Sequence, residues 1–165
     1  MKRILIIAGI ITLLILITGC TSTRQNVQEN NPAMQQDSQT EHGLIGGSAS
    51  KYYDWNKTKF EHAVQEGKTI YLEFSADWCS ICQKQELHLK AGFIELNDPN
   101  VVGFKINYND DQTTPEMQAL AEQYQIPYQH TKVVLKNGKQ AIKSPESWTK
   151  DRFLEEMRKI QHEPN

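Results

Sequence analysis

Apolar and polar residues follow regular patterns from residue 54 onward, and these patterns predict four helices and four strands. Apolar residues at helical spacing predict helices over 54–66, with Asp54 as cap, over 80–96, from Pro115 onward and after a Thr149 cap. Continuous or alternating apolar runs predict strands over 69–75, 101–107, 131–136 and 139–143.

Asn137-Gly138, a dipeptide typical of tight hairpin turns, joins the last two predicted strands. The predicted order is therefore αβαβαββα. This order indicates an α/β domain with a mixed central sheet and helices on both of its faces.

The N-terminus has the pattern of an export signal. Lys2 and Arg3 precede a run over residues 4–17 that carries no charge and is apolar except for Thr12. This run is short for a transmembrane helix, which needs about 20 apolar residues, so a signal peptide is favoured over an uncleaved anchor. Ile17-Thr-Gly-Cys20 also resembles the bacterial lipobox. We therefore expect a signal peptide at 1–19, a lipid on Cys20 and an extracytoplasmic protein anchored to a membrane.

The composition changes near residue 50. Residues 21–50 are rich in Gln, Asn, Ser and Thr and contain few large apolar residues, so they cannot offset their chain entropy by burial. We expect the lipidated cysteine and a flexible tether over 20–50. Residues 51–165 are long enough for one small domain.

The charge balance argues against nucleic acid as a partner. The full chain has a formal net charge of −2, and removal of Lys2 and Arg3 with the signal makes it −4. An acidic balance also disfavours electrostatic docking to a membrane, so the lipid would supply the membrane affinity.

Two of the 3 cysteines in the chain form the motif Cys79-Ser-Ile-Cys82, between an apolar strand and a predicted helix. At a helix start the unpaired N–H groups favour a thiolate on the first cysteine, and the second lies one turn on, within reach to resolve a mixed disulfide. A zinc site would need further ligands at suitable spacing. The motif therefore predicts a redox-active disulfide with Cys79 as nucleophile, and no other cofactor.

The run Phe74-Ser-Ala-Asp-Trp-Cys-Ser-Ile-Cys82 resembles the thioredoxin superfamily, and is most similar to the C-terminal thioredoxin-like domain of the membrane reductant conductor DsbD. The resemblance covers roughly residues 51–161. It implies a thioredoxin fold, here without its first strand, and thiol–disulfide exchange with protein disulfides or dithiols.

The resemblance also implies roles for residues around the cysteines. Glu73 matches a buried acid that assists proton transfer at Cys82, and its apolar neighbours would raise its pKa. The alternative is an outward-facing, solvated strand glutamate. Lys105 matches a lysine that pairs with this acid, although a surface lysine is an equal alternative. Glu86 matches a second acid near the site, where a solvated glutamate is the alternative. Trp78 would shield the site and contact the partner.

His130-Thr131 stands where family members carry a cis-proline followed by threonine. A non-proline cis bond is costly, so we expect a trans or strained backbone at His130. The resemblance further implies that His130→Pro would restore the usual substrate platform and retain activity. The imidazole has two functional interpretations: stabilisation of the Cys79 thiolate, or a Cu(I) or zinc site with Cys79 and Cys82. The alternative is that His130 only fills the loop.

The sequence thus predicts an exported, lipid-anchored thiol–disulfide oxidoreductase that reduces protein disulfides. Because no nicotinamide reductase works outside the membrane, it would take electrons from a transmembrane donor of the DsbD type. The alternative is a Cu(I) or zinc chaperone that uses Cys79, Cys82 and His130.

Overall fold

The computed structural model describes residues 42–163, which form six strands and four helices. The strands are β1 (Leu44–Gly46), β2 (Lys51–Asp54), β3 (Thr69–Ser75), β4 (Val101–Asn107), β5 (Thr131–Lys136) and β6 (Lys139–Ser144). The helices are α1 (Lys57–Gln65), α2 (Ser80–Leu96), α3 (Pro115–Gln123) and α4 (Lys150–His162).

The strands form one mixed sheet in the order β1-β2-β4-β3-β5-β6. β2, β4 and β3 are parallel, whereas β5 pairs antiparallel with β3 and β6, and β1 pairs antiparallel with β2. β3 lies inside the sheet, and all of its residues are buried. The prediction of a mixed sheet is confirmed.

Helices cover both faces of the sheet, as predicted. On one face α1 and α3 contribute Ala63 and Leu120 to an apolar core. On the other, α2 and α4 contribute Phe93 and Phe153, whose rings lie 4.8 Å apart. A Cβ at Gly103 of β4 would approach the Phe93 ring to 2.3 Å, so glycine there allows α2 to pack closely on the sheet.

The first part of the domain differs from the prediction. Asp54 ends strand β2 rather than capping a helix, and the cap of α1 is Asn56, whose side chain accepts from the Lys59 N–H. The expectation that the fold lacks its first strand is wrong, because β2 pairs with β4 in that position. Strand β1 also lies within the segment predicted as a tether.

Within residues 42–163, no helix combines the length and the apolar character that a bilayer span requires. The predicted signal peptide, Cys20 and the tether up to residue 41 lie outside the described residues, so they stay predictions.

Candidate active site

The two cysteines of the motif form a disulfide where β3 leads into α2. Cys79 is the N-cap of the helix, and its Sγ accepts the N–H of Cys82 at 3.2 Å. Cys79 is 7% exposed and Cys82 2% exposed, so the first cysteine is the more accessible residue. A helix N-terminus stabilises negative charge on its cap. The geometry therefore suits Cys79 for the role of attacking thiolate and Cys82 for that of resolving thiol.

Apolar side chains next to the disulfide are exposed. Trp78 is 62% exposed, although its indole N–H donates to the carbonyl oxygen of Asn109 at 2.9 Å. Ile81, between the cysteines, is also exposed, as is Tyr128 in the loop before β5. Exposed aromatic and aliphatic groups are chemically suited to contact with another protein.

Glu73 is buried on β3, the strand that leads into the disulfide. Its side chain is 1% exposed; Oε2 accepts the Tyr52 hydroxyl at 3.3 Å, and Oε1 has no hydrogen-bond partner among the described residues. Burial raises the pKa of Glu73 from 4.5 to about 7. The positive charge of Lys132 and the hydrogen bond from Tyr52 lower this pKa, but by less than burial raises it. Such a carboxyl can both accept and donate a proton near neutral pH.

The expected pairing of Lys105 with Glu73 is not the main contact of this lysine. The two residues are neighbours across β3 and β4, but Lys105 Nζ lies 3.1 Å from a Glu86 carboxylate oxygen and 3.9 Å from Asp77. Glu86 also pairs with Lys90 at 2.6 Å. Glu86 is therefore a half-buried partner of two lysines rather than a freely solvated residue.

The residue that the sequence analysis missed is Lys132. It lies opposite Glu73 across β3 and β5 and is 0% exposed. Its Nζ donates to the carbonyl oxygens of His130 and Glu146, each at 2.7 Å. Burial lowers the pKa of Lys132 from 10.5 to about 8, against the opposing effect of Glu73. The sequence does contain a sign of this role: Lys132 lies within the apolar run of β5, where a charged residue is unusual.

His130 has a left-handed backbone with φ +74, and its N–H donates to the carbonyl oxygen of Phe74 at 2.5 Å. Its Nε2 lies 2.9 Å from the Ser147 hydroxyl. Burial, with a smaller contribution from Lys132, lowers the pKa of His130 to about 4. The imidazole is thus neutral at neutral pH and cannot stabilise a thiolate as a cation. Thr131 is buried, and its hydroxyl donates to the Tyr128 carbonyl.

The structure does not bring His130 and the two cysteines together as a metal site. Among residues 42–163, no group of three or more His, Cys, Asp or Glu side chains is placed to hold a metal ion.

Known proteins with similar sequences include thioredoxins and protein disulfide-isomerases. The thioredoxin family model matches residues 51–159. An H-type thioredoxin from Fagopyrum esculentum is 29% identical over 87 residues, which cover 53% of this chain and 67% of that protein. A protein disulfide-isomerase from Hordeum vulgare is 29% identical over 85 residues, 50% of this chain and 16% of that protein.

Solved structures show the same fold. A thioredoxin from Thermus thermophilus superposes with a TM-score of 0.56 at 24% sequence identity, covering 70% of this chain and 89% of that one. This likeness concerns the arrangement of helices and strands alone.

Proposed function

Because the chain belongs to the thioredoxin family and carries the Cys79–Cys82 disulfide, it is a thiol–disulfide oxidoreductase, and we propose that it reduces disulfide bonds of protein substrates. The observation that carries the proposal is the disulfide at the N-cap of α2, next to a strand that holds a buried acid, Glu73. Reductive chemistry needs a stabilised thiolate and a group that handles the proton of the second thiol.

The proposed reaction begins with the reduced protein. The Cys79 thiolate attacks one substrate sulfur, forms a mixed disulfide and releases the other substrate sulfur as a thiolate, which takes a proton from solvent. Glu73 as carboxylate then accepts the proton of Cys82, whose thiolate attacks Cys79 Sγ. The second substrate thiolate leaves and takes a proton from solvent, and Glu73 returns the Cys82 proton to solvent. The substrate gains two electrons and two protons, and the protein is left as the Cys79–Cys82 disulfide.

The location of this activity is part of the proposal and rests on the sequence. Positive residues, an apolar run and a lipobox-like cysteine at residue 20 support export and lipid anchoring. In that setting electrons would come from a transmembrane donor, and the similarity of the active-site run to DsbD supports a donor of that type. The acidic balance gives no support for nucleic-acid partners.

The reduction potential of the Cys79–Cys82 couple, together with an insulin-reduction assay, tests the direction of electron flow. We expect a potential near that of thioredoxin, about −270 mV, and catalysis that Cys79→Ser abolishes. A potential near −120 mV would instead indicate an oxidant. Cys82→Ser is the matched control, because it should trap the mixed disulfide that Cys79→Ser cannot form.

Metal-binding measurements on the same protein samples test the metal-chaperone alternative. Reduced protein should bind Cu(I) or zinc only modestly, because no three-ligand cluster is formed among the described residues. Tight stoichiometric binding against a competing chelator, with negligible insulin reduction, would favour metal delivery over the redox proposal.

A further inference from the structure

A row of polar residues crosses the sheet in register on the face covered by α2 and α4. Neighbouring positions on β2, β4, β3, β5 and β6 carry, in this order, Asp54, Lys105, Glu73, Lys132 and Ser144. Acidic and basic groups alternate along the first four positions. Glu73 thus has a lysine on each neighbouring strand, one on β4 and one on β5.

The two lysines differ in the charge that surrounds them. Lys105 is partly exposed, and Glu86 of α2 lies 3.1 Å from its ammonium, so an acid other than Glu73 already compensates its charge. Lys132 is 0% exposed and is held by two carbonyl oxygens, which carry only partial charge. Glu73 is the acid that faces Lys132 across the strand pair, and the charges of Arg152 and Glu146, which lie outside the sheet, act on Lys132 more weakly.

Lys132 is also attached to two loops beside the site. One of its carbonyl partners belongs to His130, in the loop before β5, and the other to Glu146, in the loop between β6 and α4. The contact of the His130 ring with Ser147 joins the same two loops. The ammonium is therefore fixed in place by the backbone rather than free to follow Glu73.

We propose that Lys132 is a positioning residue for Glu73: its backbone-anchored ammonium sets the proton affinity of the buried acid, and Lys105 contributes far less. The consequence for catalysis rests on the proposed function. If Glu73 accepts the proton of Cys82, Lys132 determines the pH at which the Cys82 thiolate forms, attacks Cys79 Sγ and releases the substrate thiolate.

Other charged or titratable groups near Glu73 and Lys132 also influence the titration of Glu73, and their influence has to be separated from that of Lys132. They lie on β3 itself, on the neighbouring strands, on both covering helices and on the loops before β5 and α4: Tyr71, Tyr52, Lys105, Glu86, Arg152, His130 and Glu146. In the oxidised protein the cysteines do not titrate. A titration of oxidised protein therefore reports on Glu73 without interference from the thiols.

The test is an NMR titration of the Glu73 side-chain carboxyl carbon in oxidised protein labelled with ¹³C-glutamate, with Glu73→Gln to assign the signal. Lys132→Met should raise the Glu73 midpoint by about one pH unit or more, because the carboxylate loses its uncompensated counter-charge. Lys105→Met, the matched control on the other neighbouring strand, should raise it by less than half as much. Equal shifts, or no shift in Lys132→Met, would overturn the proposal.

If Lys132→Met does not fold, urea unfolding of two other variants decides the question. Glu73→Gln/Lys132→Met should be more stable than Glu73→Gln alone, because the double variant no longer buries a lone ammonium. Lower stability of the double variant would contradict the pairing.

A kinetic measurement separates this inference from the proposed function. In Lys132→Met, the pH profile of the rate of mixed-disulfide resolution should move to higher pH, as the titration midpoint of Glu73 does. A shifted titration with an unchanged profile would leave Lys132 as the positioning residue of Glu73 but remove Glu73 from the catalytic step.

Discussion

The backbone N–H of His130 donates a 2.5 Å hydrogen bond to the carbonyl oxygen of Phe74, at the point where β5 joins the end of β3. His130 adopts φ +74 at this position. Both features exclude proline, which has no N–H and is held near φ −65°. The chain has therefore replaced the family's proline by a local geometry that only a residue with a backbone N–H can form.

The expectation that His130→Pro restores a substrate platform is therefore wrong, because proline cannot adopt the backbone geometry found at this position. We predict that His130→Pro lowers the free energy of unfolding by about 3 kcal/mol, through the lost hydrogen bond and the incompatible backbone. Urea denaturation of the oxidised protein measures this change. His130→Asn is the control, since asparagine tolerates a left-handed backbone, and it should cost about 1 kcal/mol or less. Equal stability of the proline variant and the parent would show that the loop refolds around proline.

The elements that the sequence predicted well are those whose pattern is local. β3, β4 and β5 are apolar runs of six or seven residues, and α4 has a clear apolar face behind its Thr149 cap. β1 and β2 have only three and four residues and are separated by four small residues, Gly47 to Ser50. Pairing with their neighbours in the sheet, rather than their own composition, makes them strands.

The active site shows the same division between local and long-range information. The burial of Glu73 agrees with the continuous apolar run of β3, which is typical of a strand covered on both faces. Which lysine acts as its partner depends on the register of the two neighbouring strands. It also depends on the ion pair that Lys105 forms with Glu86 of α2. The burial of Lys132 has a local signal in the apolar run of β5, but its position opposite Glu73 depends on a strand pairing that no local pattern encodes.

The raised pKa of Glu73 predicts how stability depends on pH. Its folded-state pKa of about 7 lies above the ordinary value of 4.5, so the folded protein binds this proton more tightly than the unfolded chain. The stabilisation is complete below about pH 4.5 and is lost as the pH rises through 7. Relative to Glu73→Gln, the oxidised parent should thus lose stability between these values. Urea unfolding across this range measures the difference, and parallel curves would contradict it.

The proposed lipid anchor gives a prediction for Cys20. Cys20→Ala should leave a precursor that is neither cleaved before residue 20 nor labelled by radioactive palmitate. Cys79→Ser is a matched control, because it should keep the label and the membrane fraction while losing insulin reduction. A Cys20→Ala protein that matures and partitions with membranes like the parent would rule out the lipobox interpretation.

Glu73 should affect one step of the reaction more than the other. Glu73→Gln removes the proton acceptor for Cys82, so we expect slower resolution of the mixed disulfide, by about tenfold or more, with little change in the attack by Cys79. The pH dependence of resolution should flatten between about 6 and 9. Stopped-flow measurements of both steps test this, and unchanged resolution across that range would reduce Glu73 to a structural role.

Trp78 and Leu87 provide a matched pair for testing the contact surface. Both are exposed apolar side chains, at 62% and 68%, but Trp78 adjoins the disulfide whereas Leu87 lies two turns along α2. Because neither is buried, each alanine variant should change stability by about 1 kcal/mol or less. Trp78→Ala should lower kcat/KM for insulin by about tenfold, the scale expected for an aromatic interface anchor, and leave the reaction with a small aromatic disulfide nearly unchanged. Leu87→Ala should alter neither activity. A loss of equal size for insulin and for the small disulfide would place the effect of Trp78 on the cysteines themselves rather than on the bound protein.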